Sequence, residues 1–214
     1  MFERDYIKRL IQQFADVVAR IILYKSKKDW QQVQMIIDVS GKQLLGLNPS
    51  LIESMDGKEL IQLFTFKEQT DHEKCLIMAV LLFEQSVINA NTGKPESEIY
   101  KAYLKSFLLF RTAFTNSEFK SKVDLKRAFE CCDNLMTFDL EDTVLFEIFG
   151  FYKEEKEFAK AEDILFTLLE KNRNDAKQTA IQFYTDLLKY DDAELEKGNL
   201  PRDEVLEGLK RAEN

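Results

Sequence analysis

Glycine and proline are scarce, at seven and three residues in a chain of 214. Sheets joined by many tight turns need both, so the scarcity excludes a β-rich fold and favours long helices. Histidine occurs once, as His72, and cysteine three times, as Cys75, Cys131 and Cys132. One histidine and no C-x-x-C pair exclude the usual zinc sites. Cys131 and Cys132, adjacent on one predicted helix, point about 100° apart and make no disulfide framework, so the cysteine usage fits a reducing cytoplasm. Neither G-x-x-x-x-G-K-S/T nor G-x-G-x-x-G occurs, which leaves no phosphate-cradling loop. The longest unbroken apolar run is CLIMAVLLF, residues 75–83, against the roughly 20 residues that a bilayer requires. The N-terminal MFERDYIKR lacks the continuous apolar stretch of a signal peptide. The expectation is a cytoplasmic chain without membrane attachment.

Positive charge is also in deficit, with 30 basic against 38 acidic residues and a net charge of −8. The whole surplus lies at the C-terminal end. Residues 1–140 carry 19 side chains of each sign, and residues 141–214 carry 11 basic and 19 acidic. Phosphate backbones attract clustered Lys and Arg, so nucleic acid is not an expected partner. The one basic region is the start, where Arg4, Lys8, Arg9, Arg20, Lys25, Lys27 and Lys28 face only Glu3, Asp5 and Asp16. It reads as a solvated helix face or as a patch for an acidic partner.

Nucleophilic catalysis needs a base beside a Ser or Cys. His72 sits in TDHEK at a predicted helix start and reads as a solvated first-turn residue. Cys75, three residues on, shares its helix face. It opens the most apolar run in the chain, however, and burial makes a thiol inert. The acids of EDTVLFE and KEEKE suit solvated faces and caps. No catalytic residue, cofactor site or metal site is expected, and the chain does not read as an enzyme.

What is present is helical periodicity. Tyr6, Ile7, Leu10, Ile11, Phe14, Val17, Val18, Ile21 and Ile22 recur at steps of three and four, which predicts a first helix from about residue 3 to 24 with one broad apolar face. That face is expected to stack on a second helix, capped by Asp29 and ended near Gly46. Two short helices follow, with Asn48 capping and Pro49 at a first position. Asp71 opens a helix of about 20 residues whose centre is apolar all round, the expected core. Gly93 and Pro95 stop it and restart the chain. Further helices are predicted over IYKAYLKSFLLFRTAF, about 120–136, 141–153, 157–172 and 174–190, with a short one after Gly198–Pro201. The reading is all-α, about nine or ten helices in one continuous domain over 1–214. It comprises a hairpin at 3–46, middle helices at 49–136, a repeat-like hairpin at 141–172 and C-terminal helices at 174–212.

LYKSKKDWQQVQMIID, residues 23–38, and FYKEEKEFAKAEDILF, residues 151–166, share one layout. Each has a tyrosine, a lysine-bearing turn, a second aromatic six residues on, and an amphipathic run. The second resembles the tetratricopeptide repeat, a helix–turn–helix of about 34 residues. It has Leu145, Ile148 and Tyr152 on one helix and Phe158, Ala161, Leu165 and Leu168 on the next, with small Ala161 allowing close approach. The first copy keeps Tyr24, Trp30 and Ile37 but has Val33 in place of Ala161 and Ser40 in place of Leu168. Neither copy has the repeat's glycine, although Gly150 lies one residue from its position. The resemblance is good over 142–170 and partial over 17–45. It implies a right-handed array of stacked hairpins whose inner wall takes a peptide or partner helix.

Arg4, Asp5, Tyr6, Ile7, Arg9, Ile11 and Gln13 form an R-D-Y-I-x-R-x-I-x-Q pattern, and GNLPRDEVLEGL spans 198–209. Both ends resemble an uncharacterised family of bacterial, mainly Gram-positive, helical-repeat proteins. That likeness implies a helical-repeat fold and supplies no activity. Arg4, Asp5, Tyr6, Arg9 and Gln13 are the candidate binding residues, polar or amphipathic at one end of an apolar helix. The competing reading has Arg4 and Asp5 capping that helix and Tyr6 in the core. The expected partner is a protein or peptide. The alternatives are a self-associating homo-oligomer, its basic first helix on a second copy's acidic surface, and a small-molecule pocket among Phe83, Tyr100, Tyr103, Phe107 and Phe110.

Overall fold

The computed structural model describes residues 2–115, 120–171 and 174–213, with side chains for 9–115, 120–171 and 175–213. Among them the chain is all-helical apart from one two-residue β pair, with twelve helices where nine or ten are predicted. Packing divides it into two compact units, Met1–Phe138 and Asp139–Asn214.

The N-terminal unit begins with α1 (Phe2–Ser26), α2 (Trp30–Leu45), α3 (Pro49–Ser54) and α4 (Gly57–Leu63). Asp29 caps α2 as predicted, accepting from the Gln32 N–H at 3.1 Å. Asn48 does not cap α3 with its side chain, and Pro49 at the first turn leaves one fewer N–H to satisfy. A β pair follows, β1 (Thr65–Phe66) against β2 (Gln69–Thr70), and then α5 (His72–Asn91), α6 (Glu96–Phe114) and α7 (Lys122–Leu135). Every residue of α5 from Cys75 to Glu84 is buried, because α2, α6 and α7 all pack on it. An all-round apolar helix has no other way to satisfy its surface.

The C-terminal unit contains α8 (Asp142–Glu154), α9 (Phe158–Glu170), α10 (Asn174–Leu187), α11 (Asp192–Lys197) and α12 (Arg202–Glu213). Helices α8 and α9 form a hairpin, and α10 meets both, through Phe149–Phe183 rings 5.5 Å apart and through contacts with α9. Helix α12 packs along α10. The predicted helix over 174–190 stops at Leu187, and α11 takes up DAELEK. Six residues burying only Leu195 carry no readable period, and Asp191 starts the helix by accepting from the Glu194 N–H at 2.8 Å.

The repeated sequence motif is a repeated backbone. At the first corner the Tyr24 carbonyl accepts from the Asp29 N–H (3.0 Å) and that of Lys25 from the Lys28 N–H (2.9 Å). At the second, the Tyr152 carbonyl accepts from Glu157 (2.9 Å) and that of Lys153 from Lys156 (3.2 Å). Each pair is a Schellman closure, which places one residue in the left-handed region. Glycine usually fills that position. Here it is Lys28 at φ 54° and Lys156 at φ 60°.

Candidate functional site

One side of α1 is fastened firmly. Leu10 and Ile21, with Phe14, Val17 and Tyr24, pack with Val33, Ile36, Ile37 and Leu44 of α2 and with Ile77, Leu81 and Ile88 of α5. Polar pairs add to this attachment. Lys25 Nζ lies 2.5 Å from Glu84 Oε2, and Glu84 is only 3% exposed. Arg127 Nε on α7 is 3.9 Å from Glu84 Oε1, while its Nη1 donates to Asp124 at 2.8 Å. Beside this cluster, Gln34 Nε2 donates to Gln85 Oε1 and Gln85 Nε2 donates back to Gln34 Oε1, both at 2.7 Å. A buried carboxylate is tolerated only when partnered, and Glu84 faces two cations. Sequence reading missed this cluster. Its signal was the Glu84–Gln85 pair that ends the apolar run of α5.

The predicted broad face of α1 is only half covered, which corrects the expectation that α2 accounts for all of it. Ile11 is 38% exposed and Ile22 55%, Ala15 is exposed and Val18 half-buried. Their spacing of four, three and four residues makes one stripe along the helix. α2 and α5 pack on the Leu10–Ile21 side, so most of the stripe is left to solvent. Leu23 (49%) on α1 and Met35 (46%) and Val39 (50%) on α2 are exposed as well.

Of the five candidate residues, Arg9 and Gln13 are exposed and line a shallow cleft of about 230 Å³ between α1 and α2, with Leu10, Gln43 and Leu44. The side chains of Arg4, Asp5 and Tyr6 lie outside the described residues.

Other sequence candidates become structural. His72 stands in the first turn of α5 but is only partly solvated: its Nδ1–H donates to the Thr112 carbonyl at 2.9 Å, joining the start of α5 to the end of α6. Cys75 is buried, and burial, then Asp71 and Glu73, push its thiol up to about 12. Cys131 is likewise pushed up to about 12 by burial, and its Sγ–H donates to the Tyr103 carbonyl. Both thiols are therefore protonated at neutral pH. Phe83, Tyr103, Phe107 and Phe110 are core residues, and Tyr100 is half-buried against Phe138 with ring centres 5.5 Å apart.

The described chain is thus an all-helical protein whose candidate site is a surface along a helix, and among the described residues no helix is long and apolar enough to cross a membrane. A family of unknown function (DUF6483) matches residues 1–214, and the chain belongs to that family. No curated protein and no solved structure matches it.

Proposed function

We propose that the chain is a tetratricopeptide-like helical-repeat binding module that takes an acidic amphipathic helix along α1. The observation that carries this reading is the stripe of exposed Ile11, Ala15 and Ile22 with half-buried Val18 among them. A helix that shows apolar residues at these steps offers a seam to a second helix. Exposed Arg20, Lys27 and Lys28, within a segment of net positive charge, favour carboxylates on the partner. The shared corner at Lys28 and Lys156, and α10 meeting both α8 and α9, support the repeat-like reading. Arg9 and Gln13 supply polar contacts on the α2 side. The module works by contact, without chemistry of its own.

Covering the exposed part of each of Ile11, Val18 and Ile22 contributes about 1 kcal/mol. Ile22→Asp removes that contribution and sets a charge against the partner's carboxylates, so it weakens a partner on the stripe about fivefold or more, while the fold is unaffected. The test compares capture from the source organism's lysate by the wild type and by the double variant Ile11→Asp/Ile22→Asp, matched in melting temperature. A protein held by the first and released by the second supports the reading. Equal capture by both moves the contact off α1. A second reading is favoured by the split of charge between the first 28 residues and residues 141–214: the partner is another copy of the chain. A salt-sensitive oligomer in light scattering, abolished by the same double variant, would select it.

A further inference from the structure

The solvent side of α1 carries a second regularity. Ile11, Ala15, Ala19 and Leu23 follow one another at steps of four, and all four are exposed. Such steps form a ridge on a helix surface, and the ridges of two helices interlock when the helices cross at about −50°. Exposed Ile22 and half-buried Val18 lie on the ridge beside it.

The ridge is symmetric in size: large, small, small, large, centred midway between residues 11 and 23 at residue 17. A twofold axis at that centre lays the ridge antiparallel on its own copy. It sets Ile11 opposite Leu23 of the second copy and Ala15 opposite Ala19 of the second copy. Crossing helices are closest at the centre and diverge toward the ends. Alanine at the centre lets the two backbones approach, and Ile11 and Leu23 fill the gap where it widens.

Charge agrees with the same axis. Between residues 11 and 26 the charged side chains are Asp16, Arg20 and Lys25, and none stands on the ridge. Lys25 is turned to Glu84. Asp16 and Arg20, both exposed, follow at a step of four on the adjoining ridge, with opposite signs and a midpoint at residue 18. An axis near residue 17 therefore brings each of them beside the other on the second copy. The ridge does not repel its own copy, and the charges that border it are self-complementary.

We infer that α1 pairs antiparallel with α1 of a second copy through this ridge, so that the free protein is a homodimer. Resting on α1 as the docking surface of the proposed function, the pairing makes the second copy the occupant that a partner helix must displace. One helix crossing is small beside the roughly 1,200–2,000 Å² of a stable interface, so the dimer exchanges with monomer.

Sedimentation equilibrium of the full chain over a concentration series, at low and at high salt, tests this. A monomer–dimer equilibrium is expected that goes no further, since a twofold contact closes on itself, and that changes little with salt, since its centre is apolar. Ala19→Glu sets bulk and charge at the crossing, twice per dimer, and lowers the association constant about tenfold or more. Ala19→Ser keeps the small size and retains the dimer. Residue 19 is exposed in the single chain, so neither change disturbs its fold. A chain monomeric to its highest soluble concentration, a dimer that survives Ala19→Glu, or one that dissolves as salt rises overturns the inference. The last is what α1 on an acidic surface of the second copy would give. A monomer whose lysate partner is lost in Ile11→Asp/Ile22→Asp removes only the homodimer and leaves the proposed function standing. A dimer lost in Ala19→Glu, with no lysate protein held by the wild type, does the reverse.

Discussion

Replacing Lys28 by glycine should make the protein more stable. An L-residue in the left-handed region carries roughly 1–2 kcal/mol of steric cost from its Cβ. Glycine removes that cost but gives the unfolded chain more freedom, worth about 0.4–1 kcal/mol against folding. The net expectation for Lys28→Gly is a gain of about 0.5–1 kcal/mol. Lys28→Ala keeps the Cβ, and an exposed side chain contributes little, so it should be close to neutral. The same replacement at Lys156 starts from nearly the same φ but also deletes the Glu194 ion pair and the contact over Tyr190. Lys156→Gly should therefore gain less than Lys28→Gly or lose outright. Urea unfolding provides the assay, because Trp30, the single tryptophan, begins α2 two residues after Lys28 and reports on that corner. Circular dichroism follows the helices as a whole. A Lys28→Gly protein less stable than Lys28→Ala by Trp30 fluorescence would refute the reasoning, since strain at the corner could then not be what the glycine relieves.

Three further outcomes follow from the packing. Glu84→Ala leaves Lys25 and Arg127 facing a small void, and should cost about 3 kcal/mol in denaturant midpoint measurements. Gly198→Ala places a Cβ against the Phe158 ring and 2.8 Å from the Lys156 carbonyl oxygen, so it should destabilise by about 1–3 kcal/mol and blue-shift no Trp30 signal, because the damage is in the other unit. Asp186, bonded by Lys189 and Lys153, has its carboxyl near 2, below the ordinary 3.8, so its stabilising effect is complete above about pH 4 and fades as pH falls toward 2. Asp186→Asn should then be less stable than the wild type at pH 7, with the gap narrowing as pH falls and closing only below about pH 2, as read from paired urea curves along that range.

Helix positions were legible because period and end signals agree in this chain. Asp29, Gly46, Asp71 and Gly93 all stand at element boundaries, and the run from Cys75 to Phe83 announced a buried helix. The repeated corner was visible as spacing, but its left-handed backbone was not, since lysine gives no hint of positive φ. How much of α1 would be covered was equally hidden. Leu10 and Ile11, or Ile21 and Ile22, are alike in sequence, and only the placement of α2 and α5 decides which member of each pair is buried. Local pattern cannot specify that. The Asp186 ion pairs draw one lysine from α8 and another from just after α10, and no short motif joins Lys153 to a carboxylate 33 residues on.

The enclosure of α5 bears on how the chain is made. A helix apolar on every side has no stable solvated form, so during synthesis it waits for its cover. Helices α1 and α2 precede it, but α6 is complete only at Phe114, 23 residues after Asn91. At about 5–20 residues per second that interval lasts on the order of 1–5 s. For those seconds the nascent chain presents one of its stickiest segments, and slow codons or a stall between Asn91 and Phe114 would lengthen the window in which it aggregates or recruits a chaperone.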